Sequence, residues 1–412
     1  MKQFSGRQNG RRSFSTTSRR VAAAVALALA GIGSGSLALA QSSEGSIYGK
    51  APAGASITLS SSETGTTRTI TADSSGNFNA SRLPPGKYTV TTGGKEADVY
   101  VTIGGGTQVD LDKALTTVAV TSGRVGVIDF KSTETSFVFS QEQIQALPVA
   151  LSINAVAALS PTVLKGDSDL GSGNLPSFAG ASVAENAYYI NGFDVTNIRN
   201  FLAYADLPFE AISQQQVKAG GYGAEYGRSL GGVISVVTKR GTNEWKGGVS
   251  MIWEPAGLRA KGHDVLDKEP DRKGSYWLFS SNNTRDLFTT TAYLGGPVIQ
   301  DKLFIFGLVE RTSNRRDTYG QNQSIKTLSD TPNGMVKLDW NINDKNLLEV
   351  TGIYNKDRTD FTDFSNAKLY STSHDGVGSN SFIYTGGTVL IGKYTGYVTD
   401  NLTVSADLGQ VK

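Results

Sequence analysis

Gln216-Val217-Lys218-Ala219-Gly220-Gly221-Tyr222-Gly223-Ala224-Glu225-Tyr226-Gly227-Arg228-Ser229-Leu230-Gly231-Gly232-Val233-Ile234-Ser235-Val236-Val237-Thr238-Lys239-Arg240-Gly241-Thr242-Asn243-Glu244 is the stretch on which the reading of this chain turns. The run from Val233 to Thr238 is almost wholly β-branched and reads as a buried strand. The glycines ahead of it let the chain turn tightly and pass close to another surface. Gly227-Arg228-Ser229-Leu230-Gly231 matches the G-x-S-x-G pattern of a hydrolase nucleophile elbow. That elbow needs a helix after the serine, whereas a strand follows here. The glycines form neither a GxGxxG nor a GxxxxGK[ST] motif, so a phosphate loop is excluded too.

Upstream, Asn191-Gly192 separates Tyr188-Tyr189-Ile190 from Phe193-Asp194-Val195, a two-residue hairpin signal. Residues 141–159 carry apolar positions that fit a helical face roughly, with Pro148 expected to interrupt it. Before that, residues 44–112 alternate in short β runs near 46–49, 55–59, 68–72, 77–79, 88–91, 98–103 and 108–111. Asp73-Ser74-Ser75-Gly76 and Leu83-Pro84-Pro85-Gly86 supply turns between them. Seven short strands at this spacing predict an immunoglobulin-like sandwich. Asp73 has no second carboxylate at a coordinating spacing and is read as a turn residue.

After residue 243 the chain becomes a run of amphipathic strands. Leu402, Val404, Ala406 and Leu408 alternate with Thr403, Ser405 and Asp407, and Val336, Leu338 and Trp340 alternate with Met335, Lys337 and Asp339. Such period-two faces fit a membrane barrel wall and, equally, a soluble sandwich. Asp301-Lys302-Leu303, Asp344-Lys345-Asn346-Leu347 and Asp400-Asn401-Leu402 recur as tight polar turns. The longer polar stretches 255–285 and 356–380 are the expected external loops. About seven strands are expected, near 244–254, 287–298, 303–313, 328–340, 346–355, 382–399 and 402–411. On the barrel reading, about seven strands are far fewer than the roughly 22 of a large plugged barrel, so the chain is expected to be truncated within an incomplete antiparallel transmembrane barrel.

The full chain has 412 residues, which suggests two to four domains. It has no cysteine, and its two histidines, His263 and His374, lie far apart. Disulfides, thiolate metal sites, a cysteine nucleophile and a multi-histidine centre are therefore excluded, and no cofactor is expected. Residues 1–40 hold Lys2, Arg7, Arg11, Arg12, Arg19 and Arg20 and no acid, followed by the apolar run 21–32 and Ala38-Leu39-Ala40. This is the pattern of an export signal cleaved after Ala40, by the general route rather than the twin-arginine one. The apolar run is too short for a membrane anchor. Beyond residue 40 there are 33 basic against 37 acidic residues, which is not a nucleic-acid binder's balance.

The stretch 216–244 strongly resembles the end of the plug domain of TonB-dependent outer-membrane receptors, in the Oar-like branch. Glu185-Asn186-Ala187-Tyr188-Tyr189-Ile190-Asn191-Gly192 resembles an earlier plug hairpin of the same family. Ala51-Pro52-Ala53-Gly54-Ala55, Thr71-Ala72-Asp73 with Gly76-Asn77-Phe78, and Leu83-Pro84-Pro85-Gly86-Lys87-Tyr88 look like the non-catalytic carboxypeptidase-regulatory-like domain that this branch often carries. Residues 294–306 resemble the early barrel of the same receptors.

The resemblance implies a mainly β architecture: signal 1–40, sandwich 42–113, α+β plug 114–241 and partial barrel 242–412. It implies no enzyme activity. It implies residence in the outer membrane, in contact with its lipid, and energy-coupled uptake of a small-molecule, carbohydrate or peptide solute. The expected partner is a TonB-type inner-membrane protein, met by β-strand addition. Thr117, Val118, Ala119, Val120 and Thr121 are the candidate box for that partner, or else the first plug strand. Glu225 and Arg228 are candidate polar contacts between plug and barrel, on the argument that a plug that moves is held by polar contacts rather than an apolar core. An adhesin or structural barrel of the same architecture is the alternative; a secreted hydrolase is disfavoured by the missing triad.

Overall fold

The computed structural model describes residues 43–111, 134–146, 152–167, 170, 175–199, 201–202, 204–366 and 368–412. The signal at 1–40 and the candidate box Thr117–Thr121 lie outside the described residues.

Seven strands form the sandwich: β1 (Gly45–Lys50), β2 (Ser56–Ser61), β3 (Thr67–Thr71), β4 (Asn77–Leu83), β5 (Gly86–Thr92), β6 (Lys95–Val101) and β7 (Gly106–Asp110). One sheet has the order β4-β1-β7, with β1 and β7 parallel; the other has the order β3-β2-β5-β6. Alternate residues of both sheets point inward, so Ile47, Ile57, Leu59, Val90 and Val101 are wholly buried in one shared cluster. Asp73 performs the turn role: its Oδ1 accepts hydrogen bonds from the backbone N–H of Ser75 and of Asn77, each at 2.8 Å.

The plug holds β8 (Thr135–Ser140), α1 (Gln141–Ala146), α2 (Ile153–Ala157), β9 (Val163–Lys165), β10 (Pro176–Phe178), β11 (Ala187–Ile190), β12 (Phe193–Asp194), β13 (Ile212–Gly220) and β14 (Val233–Thr238). Within the helix expected over 141–159, with an interruption at Pro148, the described residues form two short helices on either side of the undescribed residues 147–151. The second is started by Ser152, whose hydroxyl accepts from the Ala155 N–H at 3.2 Å. The plug sheet has the order β12-β11-β14-β13-β8. Its central strand β14 is buried at every position, as its β-branched run predicts. Asn191 and Gly192 both take positive φ (51° and 88°), so the hairpin turns as read.

The wall is one antiparallel sheet: β15 (Lys246–Glu254), β18 (Thr284–Ile299), β19 (Leu303–Tyr319), β20 (Gln323–Asn343), β21 (Asn346–Tyr354), β22 (Asp357–Ser365), β23 (Val377–Thr385), β24 (Thr388–Thr399) and β25 (Leu402–Val411). The small hairpin β16 (Val265–Leu266) and β17 (Tyr276–Leu278) lies in the connection between β15 and β18. The sheet path runs from β15 to β25 without closing among the described residues.

Two expectations are corrected here. Residues 356–380 are not all loop, because β22 and the start of β23 extend the wall. The strand expected at 382–399 begins at Val377 and breaks at Gly386-Gly387. The register is nonetheless continuous. Tyr354 faces Thr388 and Asp357 faces Thr385, and the N–H of Asn355 bonds the Gly387 carbonyl at 3.0 Å between them. Counting β21–β22 and β23–β24 as two interrupted spans, the wall has seven spans, the expected number.

The wall has two faces. Val249, Met251 and Trp253 on β15, Val336, Leu338 and Trp340 on β20, and Leu402, Val404 and Leu408 on β25 all point outward and are exposed. The opposite face carries Thr351, Lys337, Lys393 and Thr395, all buried against the plug or the sandwich. An apolar outer face with charged and polar side chains inside is the pattern of a membrane-barrel wall, and here the inner face also carries apolar residues where it meets the plug. The outward apolar band ends on β19 near Val309. Above it, exposed Arg311 clasps Asp330 through two hydrogen bonds of 2.8 Å. The 21 residues of β20 reach about 70 Å at the usual strand rise, far beyond a band of about 25 Å. The hairpin of β19 and β20 thus rises well past the band, on the end opposite the tight turns at Asp301, Asp344 and Asp400. No helix among the described residues is long and apolar enough to cross a membrane.

Candidate functional site

The plug meets the inward face of the wall in ordered rows set by strand register. Phe304, Asp339, Glu349, Lys393 and Asp407 stand opposite one another on five neighbouring strands. The next row is Phe306, Lys337, Thr351, Ile391 and Gly409; the one beyond it is Leu308, Met335, Ile353, Val389 and Val411. The wall therefore presents a charged row, a mixed row and an apolar row to the plug.

Arg240, two residues past β14, reaches the charged row. Its Nη2 lies 2.9 Å from Glu349 Oε1 and 3.9 Å from Asp339 Oδ1. Lys337 approaches the same two carboxylates, at 3.1 Å and 3.4 Å. All four side chains are largely shielded from water, where mutual attraction has to offset the cost of desolvation. Gly241, next along, needs its missing side chain. A Cβ there would sit 2.5 Å from the Ile305 carbonyl oxygen, so only glycine lets the backbone lie against β19.

Two neutral contacts flank this anchor. Asn191 in the hairpin turn donates from Nδ2 to Thr238 Oγ1 at 2.9 Å and approaches Thr351 Oγ1 of the wall at 3.0 Å. Asn355, where β21 gives way to β22, donates to the Asp206 carbonyl at 2.7 Å. Lys239 lies 4.8 Å over the ring of Tyr293 on β18, with Glu210 of the plug at 3.5 Å.

The interface also has an apolar part, against the expectation of polar contacts alone. Phe306, Leu308, Met335, Ile353, Val389 and Ile391 of the wall join Ile190, Ile234 and Val236 of the plug in one buried cluster. Burying side chains of this size contributes roughly 1.5–3 kcal/mol each, so the plug is seated by hydrophobic contact as well as charge.

Among the residues expected to touch the wall, Arg228 is paired 3.7 Å from Asp194 of the plug itself and is largely exposed. Glu225 is exposed in the turn Ala224–Tyr226. The described ion pair of Arg228 thus holds β12 to the glycine-rich loop, and Arg240 is a charge that forms ion pairs between plug and wall. Its signal in the sequence was a basic residue just past a β-branched strand, beside a glycine. Ser229 is no nucleophile. Its hydroxyl lies 2.9 Å from the Gly232 carbonyl oxygen and 3.0 Å from Tyr222 Oη, while both histidines lie in the wall segment. Gly232 takes the ring of Phe178 from β10, so this glycine serves packing within the plug rather than an approach to the wall. Among the described residues no cluster of acids and histidines is arranged to hold a metal ion.

Residues 46–130 match the carboxypeptidase regulatory-like domain, and residues 129–233 match the TonB-dependent receptor plug domain. The chain is 28% identical over 258 residues to the TonB-dependent transporter Oar of Myxococcus xanthus. That alignment covers 58% of this chain and 23% of the relative, so the chain spans about a quarter of its length. Among solved structures, the ferric enterobactin receptor of Pseudomonas aeruginosa aligns at 14% identity and a TM-score of 0.42, over 66% of this chain and 40% of that one. The ferric-catecholate import receptor Fiu of E. coli K12 aligns at 12% identity and 0.40, over 68% and 49%. The two domain matches in tandem and the similarity to Oar make the chain similar, over its first half, to TonB-dependent receptors of the Oar-like branch.

Proposed function

We propose that the protein is an outer-membrane receptor that takes up a solute through its plugged wall, driven by a TonB-type inner-membrane protein. The observation that carries this reading is the seated plug. A five-stranded sheet is held against the polar face of an amphipathic wall by Arg240, Asn191 and a shared apolar cluster. An adhesin needs the wall but has no use for a removable obstruction inside it. The outward apolar face is the lipid contact. Export through a signal cleaved after Ala40 would deliver the chain to that membrane. The reading is non-enzymatic, and the solute, whether small molecule, carbohydrate or peptide, binds on the side of the tall β19–β20 hairpin. Glu225 and Arg228 would shape the loop that faces that solute's path.

Thr117-Val118-Ala119-Val120-Thr121 would pair with the energy-coupling protein as an added strand. The test is retention of a TonB-type periplasmic domain by the membrane-inserted receptor. Val118→Pro and Val120→Pro remove a backbone donor from any such pairing, and each should lower retention at least tenfold with surface display unchanged. Equal retention by both variants would move the contact to another segment. A wild-type receptor that retains nothing would favour the adhesin.

A further inference from the structure

We propose that the sandwich is a latch on the tight-turn mouth of the wall, and that its release loosens the charged anchor of the plug. This rests on the transport reading above.

The sandwich touches the rim at successive turns. Thr66 Oγ1 accepts from Asn341 Nδ2 at 2.7 Å. The Thr71 N–H donates to Asp400 Oδ2 at 3.2 Å. The Arg68 guanidinium lies 4.1 Å over the ring of Tyr397, whose hydroxyl donates to the Arg82 carbonyl at 2.7 Å. These contacts are hydrogen bonds and a cation on a ring, which water replaces at modest net cost. Among the described residues the buried cluster of the sandwich holds sandwich residues only, whereas that of the plug runs on into the wall. Of the two bodies set against the inner side of the wall, the sandwich is therefore the more lightly attached.

One contact goes deeper. Glu44, just ahead of β1, places Oε1 2.9 Å from Lys393 Nζ and Oε2 3.5 Å from Arg82. The side chains of Glu44 and Lys393 are 3% and 2% exposed, so each is the other's buried counter-ion. Lys393 stands directly across from Glu349 in the charged row, and Glu349 is the carboxylate that holds Arg240 of the plug at 2.9 Å. Once the sandwich leaves, Lys393 loses Glu44 and keeps the two carboxylates that face it across the sheet, Glu349 and Asp407. Its ammonium then draws on Glu349 as well as on Asp407, so Glu349 is shared between Lys393 and Arg240 and the hold on the plug weakens. Glu44, Lys393, Glu349 and Arg240 thus form a relay from sandwich to plug through two wall strands.

The chain has no cysteine, so an engineered pair reports without background. In cells carrying the receptor and its energy-coupling partner, Thr66→Cys with Asn341→Cys is treated with a short thiol-to-thiol cross-linker. With a protonophore present, cross-linking should be near complete; in energised cells it should fall at least fivefold. Glu44→Gln should give the low yield even with the protonophore, and Glu44→Gln with Lys393→Met, which removes both buried charges, should recover it. Low yield of the cysteine pair under both conditions would overturn docking. High yield that energisation leaves unchanged, while the partner still associates with the receptor, would overturn the latch and leave the transport reading intact. Absence of partner association would remove the transport reading and the latch with it.

Discussion

Arg240 is the residue on which plug and wall most depend. Replacing it with methionine keeps much of the volume and removes the cation facing Asp339 and Glu349. Breaking one side of a buried ion pair costs about 3–5 kcal/mol, because the abandoned charges stay out of water. Arg240→Met should therefore lower the denaturant concentration at which the plug becomes accessible to protease, while the outward face of the wall stays protected. A midpoint unchanged from wild type would show that Lys337 alone suffices. Asp73 allows a second test at this scale. The backbone N–H groups of Asn77, and then of Ser75, hold its carboxyl below the usual value of 3.8. A carboxyl depressed in the folded state stabilises above its unfolded pKa, and the benefit is lost as pH falls through the folded value. Carbon-13 titration of the sandwich should find Asp73 titrating below the usual value of 3.8, and Asp73→Ala should flatten the acid side of its stability profile. The turn role of Asp73 was legible because an Asx turn is local chemistry. The role of Arg240 was not, because its partners lie 99 and 109 residues further on and only strand register brings them together.

At the scale of elements, the wall was read well wherever strands alternate, and poorly where they break. Thr385-Gly386-Gly387-Thr388 was absorbed into one long strand because the alternation resumes beyond it. In the structure Gly386 has φ +69°, and a Cβ there would lie 2.0 Å from the Asn355 carbonyl oxygen. Asn355 is also the residue that grips the plug at Asp206, and its Oδ1 accepts from the Gly387 N–H at 2.9 Å. The paired break is thus a fitting where two wall spans bend to receive the plug, not a loop. Gly386→Val should be tolerated poorly, since it combines a strained φ with a clash against backbone. The expected outcome is loss of the heat-resistant folded form on electrophoresis of membrane-inserted receptor, with Gly386→Asn, which accepts positive φ more readily, intermediate. Wild-type behaviour of the valine variant would mean that the break plays no part in the fold. The helices at Gln141–Ala146 and Ile153–Ala157 fall on the two sides of Pro148, where the sequence places an interruption because proline removes a backbone donor.

At the scale of the whole molecule, the sandwich and the rest of the chain differ in what each must borrow to stay folded. The sandwich closes its core with its own residues and is tied to the wall by hydrogen bonds. Separation therefore uncovers hydrogen-bonding groups and leaves that core closed. The wall is the opposite case. Its outward face is apolar, and β15 and β25 each keep an open edge in the sheet path. In water such a sheet is prone to edge-to-edge association, and in lipid every unpaired edge group is costly. Limited proteolysis of the 412-residue chain expressed without a membrane should leave a soluble fragment close to residues 43–111, with residues 246–411 aggregated or degraded. The purified fragment should unfold in one cooperative transition worth about 3–5 kcal/mol, the range expected of a domain this small without disulfides. Glu44→Gln should leave that transition within about 0.5 kcal/mol of wild type, because the carboxylate's buried partner belongs to the wall and the isolated sandwich exposes it to water. A large loss in the isolated fragment would place the value of Glu44 inside the sandwich, where it pairs with Arg82, and not at the junction. A protease-resistant monomer spanning the wall residues would show that the sheet stabilises itself without closure.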